Sequence, residues 1–152
     1  MSDVVEIKIK RLNNEFEDIP LPNYATSGSS GMDIRAAVID EIIVEPNSIT
    51  LVPTNLSVDI PKGYELQVRP RSGLAVKNGI GILNSPGTID SDYRGEIKII
   101  MINLGKEIFK IKRGDRIAQL VLSKVYTAKL IESDDLNYSQ RGKGGFGHTG
   151  KE

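Results

Sequence analysis

Short runs rich in Val, Ile, Leu and Thr recur along the chain, with glycine and proline falling between them as punctuation. The runs are Val4–Ile9, Glu41–Val44, Ile49–Leu51, Tyr64–Val68, Ile97–Ile102 and Ile117–Tyr126. Several alternate with a period of two. In Tyr64-Glu65-Leu66-Gln67-Val68 the apolar side chains fall on one face of an extended segment, the pattern of a half-buried strand. Such strands, separated by turn signals, predict an all-β sandwich or barrel. One helix is expected from Ser72, whose hydroxyl suits an N-cap, to Lys77, with Asn78-Gly79 as its stop. It directly follows Arg69-Pro70-Arg71. Pro86-Gly87 marks a turn, so Ile80–Leu83 and Ile97–Ile102 are expected to pair as arms of a hairpin-like unit.

The end of the chain differs in kind. Residues 141–150 read Arg-Gly-Lys-Gly-Gly-Phe-Gly-His-Thr-Gly and hold five of the fifteen glycines. Order there is entropically costly. A frayed tail and an arm that orders on a ligand are both open readings. Gly-rich backbone N–H groups can wrap phosphates, with Arg141 and Lys143 supplying charge. Two nucleotide motifs nearly match and fail on context. Gly142 to Gly147 fits G-x-G-x-x-G and Gly142 to Thr149 approaches a P-loop, but neither opens a helix, and His148 stands where the phosphate-binding lysine belongs.

Composition narrows the chemistry. The 152 residues suit one domain, and 20 basic against 20 acidic residues give no net charge, which excludes a broadly basic nucleic-acid coat. No cysteine removes disulfides, thiolate nucleophiles and thiolate metal sites, and one histidine makes a His-pair metal site impossible. The acidic start, Asp3 and Glu6, lacks a signal peptide's basic region and apolar core. The longest apolar run, Ile99 to Ile102, is far below the ~20 residues of a membrane-spanning helix. A soluble intracellular protein is expected.

The densest chemistry lies at Asn84 to Glu96. Asp90, Asp92 and Gly95 fit a calcium loop at three positions, but Arg94 and Met101 break it. What remains is an acid beside an aromatic on a rigid hairpin, an arrangement suited to activating water next to a stacked sugar or base.

Five segments together resemble the trimeric dUTP diphosphatase (dUTPase) family in its bacterial form. They are Ser30-Gly-Met-Asp33-Ile-Arg-Ala36, Pro70-Arg71-Ser72-Gly73-Leu-Ala75, Gly87-Thr88-Ile89-Asp90-Ser-Asp-Tyr93-Arg-Gly95, Arg113-Gly-Asp-Arg-Ile-Ala-Gln119-Leu120, and the glycine-rich tail. The resemblance runs from about Leu21 to Gly150. It implies a distorted jelly-roll β-barrel or sandwich with one short helix and a flexible glycine-rich C-terminal arm. Residues 1–136 would form the β-barrel domain and 137–152 the mobile arm. It also implies hydrolysis of dUTP to dUMP and pyrophosphate, which removes dUTP from the nucleotide pool and supplies dUMP for thymidylate synthesis. Mg²⁺ would be the cofactor, and the protein a cytoplasmic homotrimer with shared active sites and no nucleic-acid or membrane partner.

On this resemblance Asp90 activates the water that attacks the α-phosphorus. An ionised aspartate suits that task, since the residue ordinarily titrates near ~3.9. Asn84 reads the uracil edge, helped by backbone around Ile97 to Ile99 including Lys98, and Tyr93 packs under the deoxyribose where a 2′-hydroxyl would sit. Thr88 and Ile89 belong to the same substrate-binding segment. Arg71, Ser72, Gly73 and Gln119 bind phosphate, with the helix N-terminus favouring an anion. Asp33 supports the metal indirectly, through water, because Mg²⁺ usually keeps several waters and leans on substrate phosphates. Arg141 and Phe146 belong to the arm that clamps the terminal phosphate and covers the uracil. Fully extended, residues 137–152 reach about 50 Å, enough to close a neighbour's site. His148 and Ser30 depart from the family's usual residues.

Three rivals are weaker. The related dCTP deaminases need a general-base glutamate in the pocket. A non-catalytic nucleotide sensor could dispense with Asp90 or the arm, and this chain has both. A glycine-rich RNA-binding tail would carry more aromatics than Phe146 and more positive charge.

Overall fold

The structure, a computed structural model, describes residues 4–146. Twelve strands follow one another: β1 (Lys8–Arg11), β2 (Asn23–Tyr24), β3 (Met32–Arg35), β4 (Ile42–Val44), β5 (Ile49–Pro53), β6 (Leu56–Asp59), β7 (Tyr64–Arg69), β8 (Ile80–Ile82), β9 (Gly87–Ile89), β10 (Lys98–Asn103), β11 (Phe109–Ile111) and β12 (Arg116–Lys124). The helix α1 (Ser72–Asn78) sits between β7 and β8, and a 3-10 turn (Asn14–Phe16) follows β1. All pairings are antiparallel. A five-stranded sheet runs β2-β3-β12-β7-β9, a three-stranded sheet runs β5-β10-β8, and β1-β6 and β11-β4 form two-stranded ribbons. This is a jelly-roll-like sandwich, with no closed barrel among the described residues.

Alternation along β7 and β12 explains the core. Leu66 and Val68 of β7 face inward, Leu120 of β12 lies opposite Val68, and Ile34 of β3 joins them. They pack in one cluster with Val52, Ile82, Ile99 and Met101 from the three-stranded sheet. The other face of the large sheet is polar, and one cross-strand row reads Asn23, Asp33, Gln119, Arg69.

The expected strands are present, with instructive differences. β1 begins at Lys8 rather than Val4, because its partner β6 ends at Asp59, just before Pro61. The expected pairing of Ile80–Leu83 with Ile97–Ile102 is realised as β8 against β10, while Gly87–Ile89 crosses to the large sheet as its edge strand beside β7. Ser72 is not the helix cap. Arg71 occupies that position with extended backbone and no side-chain cap bond, its guanidinium being turned to Asp33, so Ser72 becomes the first helical residue. Gly79 ends the helix as expected, in the left-handed conformation at φ 69°.

Two details bear on later arguments. The 3-10 turn is held by Arg11, which donates to the carbonyls of Phe16 (3.0 Å) and Ile19 (2.8 Å), and by Arg113, which pairs with Asp18 (2.6 Å) and lies 4.5 Å over the Phe16 ring. The guanidinium hydrogen bonds hold the Asp18 carboxyl below its ordinary range and raise Arg113 in turn. Beyond Lys124, residues 125–146 form no strand, and Tyr126, Leu130, Ile131, Leu136, Tyr138 and Phe146 are almost wholly exposed.

Candidate active site

The strands β9 and β10 place most of the expected base- and sugar-facing residues around one cavity of about 330 Å³. Asn84, Thr88, Ile89, Asp90, Tyr93 and Lys98 all line it. Asn84 stands on the connection between β8 and β9, and Gly87 makes room for it: a methyl group there would lie 3.1 Å from the Asn84 amide and 3.2 Å from Val68. Ile89 anchors β9 in the core, which leaves Thr88 and Asp90 exposed on either side of it. Sequence reasoning missed Leu51, Ile100 and Glu96, which also line the cavity. Leu51 and Ile100 face each other in the β5–β10 pairing. Their signal was only the outward half of two apolar strands.

The loop from Asp90 to Ile97 is pinned from several directions. The Tyr93 amide donates to the Asp90 carbonyl (3.1 Å), and the Tyr93 hydroxyl donates to the Glu96 carbonyl (2.9 Å). Ser57 donates to the Arg94 carbonyl (2.7 Å), Arg94 pairs with Asp59, and the Ile97 amide donates to Leu56 (2.8 Å). The Tyr93 ring lies directly against Gly95, where any Cβ would overlap its hydroxyl and ring carbons. An exposed loop bearing an acid is thereby held in one shape.

The remaining candidates gather elsewhere. Asp33 is buried between two guanidinium groups: Arg71 Nε donates to Oδ1 at 3.1 Å and Arg116 Nη1 to Oδ2 at 3.2 Å. Gln119 stands beside Asp33 in the cross-strand row, and Ser72 and Gly73 open α1 just after Arg71. None of Asp33, Arg71, Ser72, Gly73 and Gln119 lines the cavity around Asp90. Strand geometry explains why. Asp90 lies just past the Ile89–Leu66 pair, at the level of Glu65, so Arg69 is about 13 Å further along β7. Asp33 lies across three strand spacings, about 14 Å, from β9.

The arm residues stand apart from both groups. Arg141 Nε donates to the Gly144 carbonyl (2.8 Å), and Phe146 is exposed. His148 and Thr149 lie outside the described residues.

No three of His, Asp and Glu converge as a metal cage among the described residues. Asp33 has capacity for an outer contact, since a carboxylate offers about four lone-pair sites and its guanidinium partners use two. Among the described residues no helix is long and apolar enough to cross a membrane.

Comparison with known proteins identifies relatives over nearly the whole chain. A family model described as dUTPase matches residues 17–150. A deoxyuridine 5′-triphosphate nucleotidohydrolase of Thermoanaerobacter sp. (strain X514) is 51% identical over 144 residues, covering 95% of this chain and 97% of its own. That of Treponema denticola is 57% identical over 130 residues, covering 86% and 90%. Among solved structures, a mutant dUTPase of Staphylococcus bacteriophage 80alpha with dUpNHpp superposes with a TM-score of 0.82 at 24% identity, covering 95% of this chain and 98% of that one. A mutant dUTPase from phage phi11 of S. aureus, described for its coordination of a structural Mg(II) ion, gives 0.75 at 23% identity, covering 88% and 99%.

Proposed function

The chain belongs to the dUTPase family, and from that premise we propose that its two clusters of polar residues are the two halves of one dUTP-hydrolysing site. The reaction is the hydrolysis of dUTP to dUMP. The observation that carries the assignment of roles is the single cavity in which Asn84, Asp90, Tyr93 and Lys98 meet.

In this reading the base enters between Asn84 and the β10 backbone near Lys98. A pocket that hydrogen-bonds the uracil edge rejects cytosine, because lost pairing leaves site groups unsatisfied, a penalty on the order of 10⁴ in rate where such sites have been measured. Thr88 and Ile89 complete the wall, and Tyr93 supports the sugar. Asp90 orients a water and takes its proton as the new oxygen–phosphorus bond forms at the α-phosphorus. The bond to the bridging oxygen breaks, and pyrophosphate leaves. Positioning and charge neutralisation supply most of the acceleration. Arg71, Ser72, Gly73 and Gln119 hold phosphate oxygens. Mg²⁺, bound with the triphosphate, would neutralise its charge, and Asp33 would accept from the waters around it. The product supplies dUMP for thymidylate synthesis in the cytoplasm.

A phosphate-binding cluster that begins beyond Arg69, about 13 Å along β7 from the level of Asp90, suits substrate binding between subunits better than within one. The exposed apolar side chains of residues 125–146 favour the same arrangement, because a bare apolar strap marks an interface. We therefore read the protein as a homotrimer of β-domains (1–136) whose arms (137–152) cross to neighbouring sites, Arg141 clamping phosphate and Phe146 covering the base.

The test is turnover with Mg²⁺ on dUTP, UTP, dCTP and dTTP separately, nucleotide products and pyrophosphate being followed by chromatography. Selective formation of dUMP from dUTP, abolished in Asp90→Asn, is expected. Tight binding of dUTP by wild type without turnover would remove the water-activating role of Asp90.

A further inference from the structure

Glu96, which the motifs did not single out, contacts three other residues at the edge of the site. Its Oε1 accepts the main-chain amide of Asn55 at 2.9 Å, and its Oε2 lies 3.5 Å from the Lys98 ammonium. Its carbonyl accepts the Tyr93 hydroxyl. The side chain forms part of a partition between the cavity around Asp90 and a second cavity, of about 420 Å³, lined by Phe16, Val38 and Asn55.

Asn55 is an unusually firm anchor. It is buried, holds a left-handed backbone at φ 60°, and is tied by three further hydrogen bonds: Leu12 donates to its carbonyl, Asn13 to its Oδ1, and its Nδ2 donates to the Asn13 carbonyl. A non-glycine residue held left-handed persists only where its surroundings over-determine it. The amide it presents to Glu96 is therefore fixed in direction. A continuous chain of contacts runs from Asn55 through the Glu96 carboxylate to the Glu96 carbonyl and the Tyr93 hydroxyl.

We infer that Glu96 is a positioning residue that sets the sugar wall of the site, by tying the Tyr93-bearing loop to the rigid Asn55 amide, so that discrimination against ribonucleotides depends on it. This rests on the reading of Tyr93 as the residue beneath the deoxyribose. Gly95 makes the dependence sharp, because the ring has no slack against the backbone under it. The Lys98 contact contributes less. It is long and half-exposed, and such pairs are worth little. The acceptor at Oε1 is the essential feature, and glutamine retains it.

The experiment compares kcat/KM for dUTP and UTP in wild type, Glu96→Gln, Glu96→Ala, Tyr93→Phe and the Tyr93→Phe/Glu96→Ala pair, with thermal melts alongside. Glu96→Ala is expected to narrow the dUTP-to-UTP preference by about tenfold, the order of one lost hydrogen bond. Glu96→Gln should keep most of the preference, and Glu96→Ala should add little in the Tyr93→Phe background. The dUTP-to-dCTP preference should hold, since Asn84 stands on a different connection. A lowered melting temperature with sugar preference intact would make Glu96 merely structural and overturn the inference. So would equal loss in the Gln and Ala variants, or full additivity with Tyr93→Phe. Wild type that accepts UTP as readily as dUTP would instead remove the role given to Tyr93, and this inference with it.

Discussion

Gly105→Ala tests whether helix α1 is held by its far end. The turn after β10 presses against the end of the helix: the Leu104 amide donates to the Gly79 carbonyl at 2.9 Å, and the Gly105 amide donates to Asn103 Oδ1 at 2.9 Å. A Cβ on Gly105 would overlap the Asn78 carbonyl oxygen, a backbone atom that cannot rotate aside, and would lie 3.1 Å from Asn103 Oδ1. Reaching an ordinary carbon–oxygen contact requires the turn to withdraw by about 1 Å. That stretches the Leu104 bond to about 3.9 Å, beyond hydrogen bonding, and disturbs the second. Two bonds at about 1 kcal/mol each give a loss of about 2 kcal/mol. The assay is urea unfolding at fixed protomer concentration, with Gly28→Ala, where a Cβ meets nothing within 4 Å, as control. Because α1 is only about 10 Å long, release of one end tilts Ser72 at the other, so KM for dUTP should rise as well. A loss under about 0.5 kcal/mol, well short of even one such bond, would show that the turn adjusts freely and that the close packing does not position the helix.

Other perturbations separate stability from function. Gly73→Ala, in the first turn of α1 with open space around it, should stabilise by about 0.5–1 kcal/mol; if its backbone lies against phosphate, melts and kinetics will show higher stability with lower kcat/KM, whereas unchanged kinetics would remove it from the site. Asp33→Ala strips the shared acceptor from Arg71 and Arg116 and should cost about 2 kcal/mol, discounted because Arg116 is half-exposed; the combination with Arg71→Ala should cost less than the sum in denaturant titrations. Asp18, held below its ordinary range when folded, contributes stability that is complete above its unfolded pKa and lost as pH falls through the lower folded value. The gap in melting temperature between wild type and Asp18→Asn should therefore be widest near neutrality and close in acid.

What the sequence disclosed was local. The alternation in Tyr64–Val68 identified β7, and apolar runs identified β10 and β12, because side-chain period follows directly from strand geometry. β3 and β6 were hidden, since Met32-Asp-Ile-Arg and Leu56-Ser-Val-Asp carry polar residues that are satisfied only in three dimensions: Asp33 by two arginines, Ser57 by the Arg94 carbonyl. The cap at Ser72 was misplaced because Arg71 is engaged by Asp33, 38 positions away. Asn84, Asp90, Tyr93 and Lys98, which the family resemblance singled out, line one cavity because one short segment carries them and topology keeps that segment together. Glu96 was missed for the opposite reason. Its partner Asn55 is 41 positions away, and no spacing rule connects an αL asparagine to a distant glutamate.

The place of β12 at the middle of the large sheet has a consequence for the chain's birth. β3 and β7 each pair with β12, yet about 80 residues separate the end of β3 from the start of β12. At the usual pace of synthesis, that is about 4–16 s during which β3 waits for its central partner. The nascent chain meanwhile carries open strand edges and the apolar faces of Ile34, Leu66 and Val68, the surfaces through which unfinished chains stick to one another. Arrival of Arg116–Lys124 closes both edges at once. Folding of this sheet therefore waits for β12 to become available, and holdase chaperones should engage the protein chiefly before that point.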